Sequence, residues 1–378
     1  MKTPAFEDLQ ELLRFVTKAR PKSTKIFSDW SHSDEMPKYA KLFHRAISDT
    51  TGNEAEVAQS LGFANQRDGA YKKLRSDLIE RMENMLFFLD LRQAGYSSVS
   101  QAYLASDRHI FIVKRIINLG GRKLGTRLCH RWIGLAVEYE RWTNAAQFAL
   151  YLREAATLEG KKSDHRKYSK DYRHYMDIFE AEQNAEMVYE SVRIEFARDP
   201  ADKPELAGPL RKQLVHIEVD RDRHKTFGLS LIVIDIRSTI AQLESNYHDA
   251  LKVCGEVEVL LSKFPKFSNR FLRFRWALEA LNCAYELGEA SEAEKAIQLC
   301  ESLHMDGENN WFIYKQRVVR GSIQFRNFEQ AQSVLTEAMA HPRFDQQSAA
   351  IRERFAALQL DITKADGRKN KTKSTKAK

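Results

Sequence analysis

Only one run of residues has the composition of a phosphate-binding loop. Gly120-Gly-Arg-Lys-Leu-Gly125 combines glycines with a lysine, and such loops hold phosphates with backbone N–H groups and a lysine. Here the lysine precedes the last glycine, and no Gly-Lys-Ser/Thr sequence follows. The run therefore predicts a turn between two helices.

The eleven histidines are not spaced as metal ligands. Two ligands on one helical face need a separation of four residues, whereas His165 and His174, like His216 and His224, are farther apart. Neither His-Glu-x-x-His nor Gly-x-Ser-x-Gly occurs, so the motifs of zinc proteases and serine hydrolases are missing. We expect a protein without catalytic activity, metal or cofactor.

No two of the four cysteines form a Cys-x-x-Cys pair, which argues against structural zinc and against a disulfide framework. We expect small buried side chains at Cys129, Cys254, Cys283 and Cys300. The first eight residues carry acids where a secretory signal has its apolar core, and no apolar stretch reaches the length of a membrane span. These features predict a cytoplasmic protein without membrane contacts.

The formal net charge of +8 is concentrated at the C-terminus. Residues 366–378 contain six basic side chains and one acid, and no apolar side chain larger than alanine. This composition predicts a disordered basic tail over 364–378, which either solubilises the chain or tethers it to acidic surfaces. Without the +5 of the tail, the remaining net charge of about +3 is too weak to indicate a polyanion partner.

Low glycine and proline content favours an all-α fold, because these residues together number only 24. Apolar residues recur at three- and four-residue spacing along most of the chain, as at Leu74 and Leu78. Only at 214–236 is a β-strand a serious alternative to a helix, because β-branched residues cluster there. Since Ile232 and Ile236 continue at helical spacing into the next segment, a helix is predicted there as well.

Small residues recur in the C-terminal half. Three times, an alanine follows the expected first residue of a helix by three positions: Tyr247 to Ala250, Ala290 to Ala293 and Phe328 to Ala331. Trp142 and Ala145 repeat the pattern upstream. Such spacing is typical of stacked helix hairpins, where only a small side chain fits between two backbones.

The three C-terminal hairpins resemble tetratricopeptide repeats, a family of 34-residue helix-turn-helix units. The alanines are 43 and 38 residues apart, so the resemblance is to degenerate repeats with longer loops. It covers residues 210–362 well and 122–157 more weakly. The family's small partner positions fall on Ser238, Leu281 and Val319, of which only the first is small. The resemblance implies a right-handed α-solenoid that follows an N-terminal helical region.

The chain is expected to divide into four segments. They are an N-terminal helical region (1–95), helical hairpins with a long helix (96–200), the repeats (201–363) and the tail (364–378). The boundary near residue 200 rests on Asp199-Pro200 and the prolines that follow. The long helix, Ser163 to Arg198, has an aromatic face that either packs in the core or forms the seam of a homodimer. That face contains Tyr168, Tyr172, Tyr175 and Phe179.

The resemblance also implies a concave surface, lined by the first helix of each hairpin, that holds a peptide or a partner protein. The residues of this chain at that phase are Asp235, Thr239, Arg275, Asn282, Tyr285, Gln316, Arg320 and Gln324. Arg, Asn and Gln can bind peptide carbonyls and carboxylates, although such residues equally serve solubility alone. We expect a non-enzymatic interaction scaffold or adaptor, in which replacing Arg275 or Arg320 weakens partner binding without unfolding the protein.

An alternative function is DNA-binding transcriptional regulation through an N-terminal helix-turn-helix. Val57, Ala58 and Gly62 match part of that signature, and a basic helix follows. Its basic residues are Arg67, Lys72, Lys73 and Arg75. Asp68 argues against this alternative, because the motif usually has an apolar residue there. A DNA-binding head on a helical-repeat sensor body would be similar to peptide-sensing regulators of bacteria.

Overall fold

The computed structural model describes residues 3–18, 37–48, 53–86, 97–198, 204–304 and 306–376, with all their side chains except those of residues 15, 18, 196–198 and 365–376. Within these ranges the protein forms α-helices and two short 3₁₀ helices and contains no strand, which confirms the all-α prediction. The α-helices are α1 (Pro4–Lys18), α2 (Lys38–Ser48), α3 (Glu54–Ser60), α4 (Gly69–Leu86), α5 (Ser98–Asn118), α6 (Arg122–Glu138), α7 (Trp142–Leu158), α8 (Lys162–Arg198), α9 (Ala207–His224), α10 (Phe227–Leu243), α11 (Tyr247–Lys263), α12 (Arg270–Leu287), α13 (Ala290–Leu303), α14 (Asn309–Gln324), α15 (Phe328–Met339) and α16 (Ala349–Lys376).

The chain divides into two compact units, Met1–His165 and Arg166–Lys378. In the first unit, α1 packs on α2 and α4, around a core that includes Phe6, Leu42 and Tyr71. Helices α5, α6 and α7 pack on one another as three consecutive antiparallel helices. The boundary expected at residues 95 and 96 lies outside the described residues.

In the second unit, consecutive helices pack pairwise along the chain. Each helix from α9 to α12 contacts its successor, and so do α14 and α15. We call α10, α12 and α14 the first helices, because each forms a hairpin with the helix that follows it. Two of the first helices also contact each other, α12 and α14, and α14 contacts α16 as well. The expected break at Asp199-Pro200 lies outside the described residues.

Six connections between helices share one turn geometry. In each, a residue with positive φ stands two positions before the next helix, and the following N–H group donates to the carbonyl five residues back, at 2.7 to 3.0 Å. The residues with positive φ are Gly120, Glu140, Gly160, Ser245, Gly288 and Arg326. This turn satisfies carbonyl groups that a helix end leaves unpaired. The turn predicted for Gly120–Gly125 is found at Gly120-Gly121, and residues 122–125 begin α6.

A small residue occupies the fourth position of the helix after five of these turns. The five are Gly125, Ala145, Ala250, Ala293 and Ala331, and all are buried. The spacing is tight, because a Cβ atom on Gly125 would lie 2.5 Å from Cγ1 of Ile117. Helices begin at Trp142, Tyr247, Ala290 and Phe328, as the small-residue pattern predicts.

The small residues on the preceding helices lie three positions later than the family register predicts. They are Ala241, Ala284 and Ser322 rather than Ser238, Leu281 and Val319. The carbonyls of Ala241, Ala284 and Ser322 accept the long hydrogen bond of the turn, so these residues lie in the last turn of their helices, beside the connection. Leu281 and Val319 are instead fully buried in the hydrophobic cores.

Residues 214–236, where the sequence leaves a strand as the alternative to a helix, lie in α9, in α10 and in the two-residue connection Lys225-Thr226 between them. Thr226 caps α10, because its side chain accepts a hydrogen bond from the N–H of Leu229 at 3.1 Å. At the C-terminus, the backbone of α16 continues through Lys376, whereas the composition predicts disorder from residue 364. Lysine and arginine are good helix formers, so a basic composition does not oppose a helix that begins in packed residues such as Phe355.

All four cysteines are buried and have free thiols, as predicted. Burial raises the pKa of the Cys300 thiol to about 12, which makes this thiol a weak nucleophile. In the described ranges, no helix combines the length and the apolarity that crossing a bilayer requires.

Candidate partner-binding surface

The eight residues predicted to bind a partner lie on the first helices of the second unit. Asp235 and Thr239 are on α10, three residues are on α12, and three are on α14. The structure brings them together in pairs that link neighbouring helices. Most of them therefore have a structural partner within the chain.

Asp235 and Arg275 form an ion pair between α10 and α12. The carboxylate is buried, at 5 % exposure, whereas 48 % of the Arg275 side chain is exposed. Burial raises the pKa of the Asp235 carboxyl, and the adjacent guanidinium of Arg275 opposes this shift. Arg275 also donates to the Tyr189 hydroxyl of α8 at 3.2 Å. These two contacts fix the orientation of the guanidinium.

The next pairs join α12 to α14. Arg317 Nη1 donates to the Asn282 side-chain oxygen at 2.7 Å, and the Gln324 amide donates to the Tyr285 carbonyl at 2.7 Å. Gln316 is buried and donates to the carbonyl of Ile351 on α16 at 3.1 Å. These side chains satisfy polar groups between helices. Gln316 is buried, whereas Asn282 is half-buried and Gln324 is exposed, so a role of these two in partner binding stays a prediction.

Tyr285 is a core residue, which corrects its predicted place on the binding surface. It is 6 % exposed, and its ring packs against Phe325 with centroids 5.4 Å apart. A Cβ atom at Gly321 of α14 would lie 2.1 Å from Cζ of this ring. Glycine therefore allows α14 to approach α12, with the ring of Tyr285 between them.

Arg320 is the predicted residue that remains exposed without a polar contact in the described part of the chain. Burial is the main cause that lowers the pKa of Arg317. The charges of Arg320 and Arg354 add to this shift, and those of Glu279 and Glu286 oppose it. Acids and cations therefore both act on this end of the surface.

An open cavity of about 260 Å³ lies beside the Asp235–Arg275 pair. We call it the first-helix cavity. It is lined by Tyr189 and Arg193 of α8, Asp235, Ser238, Thr239 and Gln242 of α10, and Arg275, Trp276 and Glu279 of α12. Three of the eight predicted residues thus share one cavity.

The α8 side of this cavity was not predicted from the sequence. Tyr189 and Arg193 are one helical turn apart, and the guanidinium of Arg193 lies 5.6 Å from the centre of the Tyr189 ring. Within the described ranges Arg193 has no carboxylate partner. The signal was present as an aromatic residue followed by an arginine four positions later, but α8 precedes the segment that resembles repeats.

The aromatic face proposed as a dimer seam is largely covered within the chain. Tyr168 is buried, and Tyr172, Tyr175 and Phe179 are half-buried. This burial favours the packing alternative for that face. Farther along α8, Ala181, Ala185 and Val192 enter the core shared with α9 and α10.

A larger groove of about 480 Å³ lies between α9, α10 and α11. Its cations are neutralised locally. Arg211 donates two hydrogen bonds of 2.7 Å to Glu244, and Arg237 contacts Glu256 at 2.7 Å. Lys252 contacts Asp249 at 3.1 Å. Because its charged groups pair with one another, this groove offers fewer available donors than the first-helix cavity.

The residues predicted for nucleic-acid binding do not form one surface. Arg75 points inward: its Nη1 donates to Glu54 Oε1 at 2.5 Å and to Thr3 Oγ1 at 2.7 Å. Glu54 is fully buried. Arg67, Lys72 and Lys73 are exposed.

The connection before this basic helix also differs from a helix-turn-helix. Eight residues, Leu61 to Asp68, separate α3 from α4, whereas that motif has a turn of three or four. Asp68 caps α4, and the backbone N–H groups of Ala70 and Tyr71 lower its carboxyl pKa. The acid that conflicts with the motif therefore has a local structural role.

Among the described residues, no three His, Cys, Asp or Glu side chains converge as metal ligands would. In comparisons with protein-family models, curated proteins and solved structures, nothing matches this chain.

Proposed function

We propose that the second unit is an α-solenoid of tetratricopeptide-like hairpins that binds a peptide or protein partner and does not catalyse a reaction. The shared turn geometry of the α10–α11, α12–α13 and α14–α15 hairpins supports this proposal. So does the contact of α12 with α14, because stacked hairpins bring first helices side by side.

The observation that carries the proposal is the first-helix cavity with its fixed guanidinium. Arg275 is held by Asp235 and Tyr189, yet about half of its side chain remains exposed. A donor that is already oriented loses less conformational entropy on binding than a free surface arginine does. Arg193 supplies a second guanidinium on the same cavity.

Two guanidinium groups favour a ligand with a carboxylate, since arginine donates paired hydrogen bonds to carboxylate oxygens. Arg275 offsets the charge of Asp235, and Gln242 donates to Glu279, the other carboxylate of the cavity, at 2.5 Å. Glu279 and Thr239 offer further polar contacts for peptide N–H and C=O groups. An acidic side chain or a C-terminal carboxylate on an extended peptide fits this chemistry.

Selection of a random peptide display library on the full-length protein tests the proposal. We expect enriched peptides that share an acidic residue or a free C-terminus. Arg193→Ala should weaken their binding about tenfold, because a charged hydrogen bond contributes about 1.5 kcal/mol. Lys252→Ala on α11 is the matched control and should bind as the wild type does. Peptides that bind Arg193→Ala with unchanged affinity would show that the cavity is not the site.

Sequence-specific DNA binding gains no support from the contacts of α4. Arg75 is committed to Glu54, which leaves Arg67, Lys72 and Lys73 as the exposed cations of that group. We therefore retain the interaction scaffold as the proposed function.

A further inference from the structure

One end of the α5–α7 layer exposes two leucines. Leu119 follows α5 and is 74 % exposed, and Leu158 ends α7 and is 66 % exposed. They are the most exposed large apolar side chains in the described part of the chain. Both lie at turns of the shared geometry: Leu119 directly precedes Gly120, and Leu158 stands two residues before Gly160.

The two leucines lie at the same end of the layer. Helices α5, α6 and α7 alternate in direction through three-residue connections, and α6 and α7 have 17 residues each, or about 25 Å. The end of α7 therefore returns to the start of α6. The charges agree with this arrangement. The pKa of Glu159, at the end of α7, is lowered mainly by the hydrogen bond and charge of Lys161 and further by the charge of Lys123, at the start of α6.

This end is also basic. Residues 108–137 contain seven lysines and arginines and no acid. The cations within four residues of the exposed leucines in sequence are Arg115, Arg122, Lys123, Lys161 and Lys162, and Glu154 lies four residues before Leu158. The acids of the α7–α8 turn are Glu159, which contacts Lys161 at 2.7 Å, and Asp164. Arg115, Arg122 and Lys123 are exposed and have no carboxylate within ion-pair distance among the described residues.

We propose that this end of the first unit docks on an anionic lipid bilayer, with Leu119 and Leu158 entering the interface and Arg115, Arg122 and Lys123 contacting lipid headgroups. The contact is peripheral and needs no spanning helix. It revises the expectation that the chain does not contact membranes. Cations around exposed aliphatic side chains match both parts of a bilayer surface, its negative charge and its apolar interior.

The aliphatic side chains distinguish this partner from nucleic acid. Phosphate groups account for lysine and arginine, but single-stranded nucleic acid is bound through stacking on aromatic rings, and the exposed apolar residues at this end are leucines. Contact with a phosphate backbone would not remove the apolar surface of the two leucines from water. Insertion into a bilayer would remove it, which is favourable.

Flotation of the full-length protein with vesicles tests the proposal. We expect binding to phosphatidylcholine vesicles that contain about 30 % phosphatidylserine, weakening with salt, and no binding to pure phosphatidylcholine vesicles. Leu119→Ser/Leu158→Ser should lower the partition coefficient at least tenfold. Arg115→Ala/Arg122→Ala/Lys123→Ala should lower it about 100-fold, because each cation near the surface contributes about fivefold.

Matched variants distinguish binding through this surface from binding that depends only on the net charge of the protein. Lys212→Ala/Lys263→Ala/Arg352→Ala removes the same charge from the second unit, and Leu360→Ser removes a leucine from α16 that is 60 % exposed. Both should bind vesicles as the wild type does, and circular dichroism should show that every variant is folded. All variants keep the basic residues of the tail, so binding through the tail alone would be the same in each. A loss of binding in the leucine variant therefore assigns the contact to this end of the α5–α7 layer. The proposal is overturned if anionic vesicles do not bind, if the leucine pair has no effect, or if only an RNA fragment binds and does so independently of the leucines.

Discussion

Arg275 on α12 neutralises the buried carboxylate of Asp235 on α10, forty positions earlier in the chain. The resemblance to repeats predicts that both residues face a partner on one surface. In the structure they form an ion pair with each other. A carboxylate buried without a cation costs several kcal/mol, so this pair helps to set the spacing of two first helices. The exposed half of the guanidinium then contributes to the first-helix cavity.

Arg275→Ala should destabilise the protein, in contrast to the expectation from sequence. Removing the cation leaves Asp235 buried and unpaired, and we expect a loss of about 2 kcal/mol, reduced from the value of a fully buried pair because Arg275 is half exposed. Urea denaturation measures it. Arg275→Ala/Asp235→Asn should recover most of the loss, and Arg320→Ala should stay within about 0.5 kcal/mol of the wild type. Equal stability of the Arg275 and Arg320 variants would contradict this role.

The sequence was sufficient to predict helix starts, because they depend on local chemistry. An alanine at the fourth position of a helix and a turn residue two positions before the helix act within one connection, as at Ser245 and Ala250. Asn246 completes that turn by accepting from the N–H of Asp249 at 3.3 Å. Such features can be predicted from the local sequence alone, without knowing which distant residues pack nearby.

The sequence could not show in the same way whether a polar side chain on a first helix faces solvent or contacts a neighbouring helix. Whether Gln316 faces solvent or the carbonyl of Ile351 depends on how closely α16 packs, and no local pattern reports that distance. Likewise, Arg75 and Lys72 look alike in sequence. Only the fold shows that Arg75 reaches the buried Glu54.

Arg75→Ala should destabilise the first unit by about 3 kcal/mol, because it leaves the fully buried Glu54 without its cation. Lys72→Ala/Lys73→Ala removes more charge from the same helix and should change stability by less than about 0.5 kcal/mol. Thermal unfolding followed by circular dichroism gives both values. If the lysine pair were as damaging as the arginine, an internal role specific to Arg75 would be excluded.

Gly321→Ala should be strongly destabilising, although alanine favours helices. The new methyl group would meet the ring of Tyr285, and overpacking of this kind costs about 2–3 kcal/mol. Gly255→Ala on α11 is the matched control: nothing lies within 4 Å of its added Cβ, so it should stabilise the protein by about 0.5–1 kcal/mol. Opposite signs in chemical denaturation are the expected result. A neutral Gly321→Ala would mean that α12 and α14 separate at little cost.

His224 should make stability depend on pH between neutrality and about pH 5.5. Its side chain is 2 % exposed, and Nε2 has no hydrogen-bond partner in the described structure. Burial lowers its pKa, and the charge of Asp177 opposes this shift. The unfolded chain therefore binds more protons as the pH falls through about 6.5, and stability is lost in that direction. His224→Gln should show a smaller drop in melting temperature between pH 7.5 and 5.5 than the wild type, whereas His248→Gln, at an exposed site, should leave the drop unchanged.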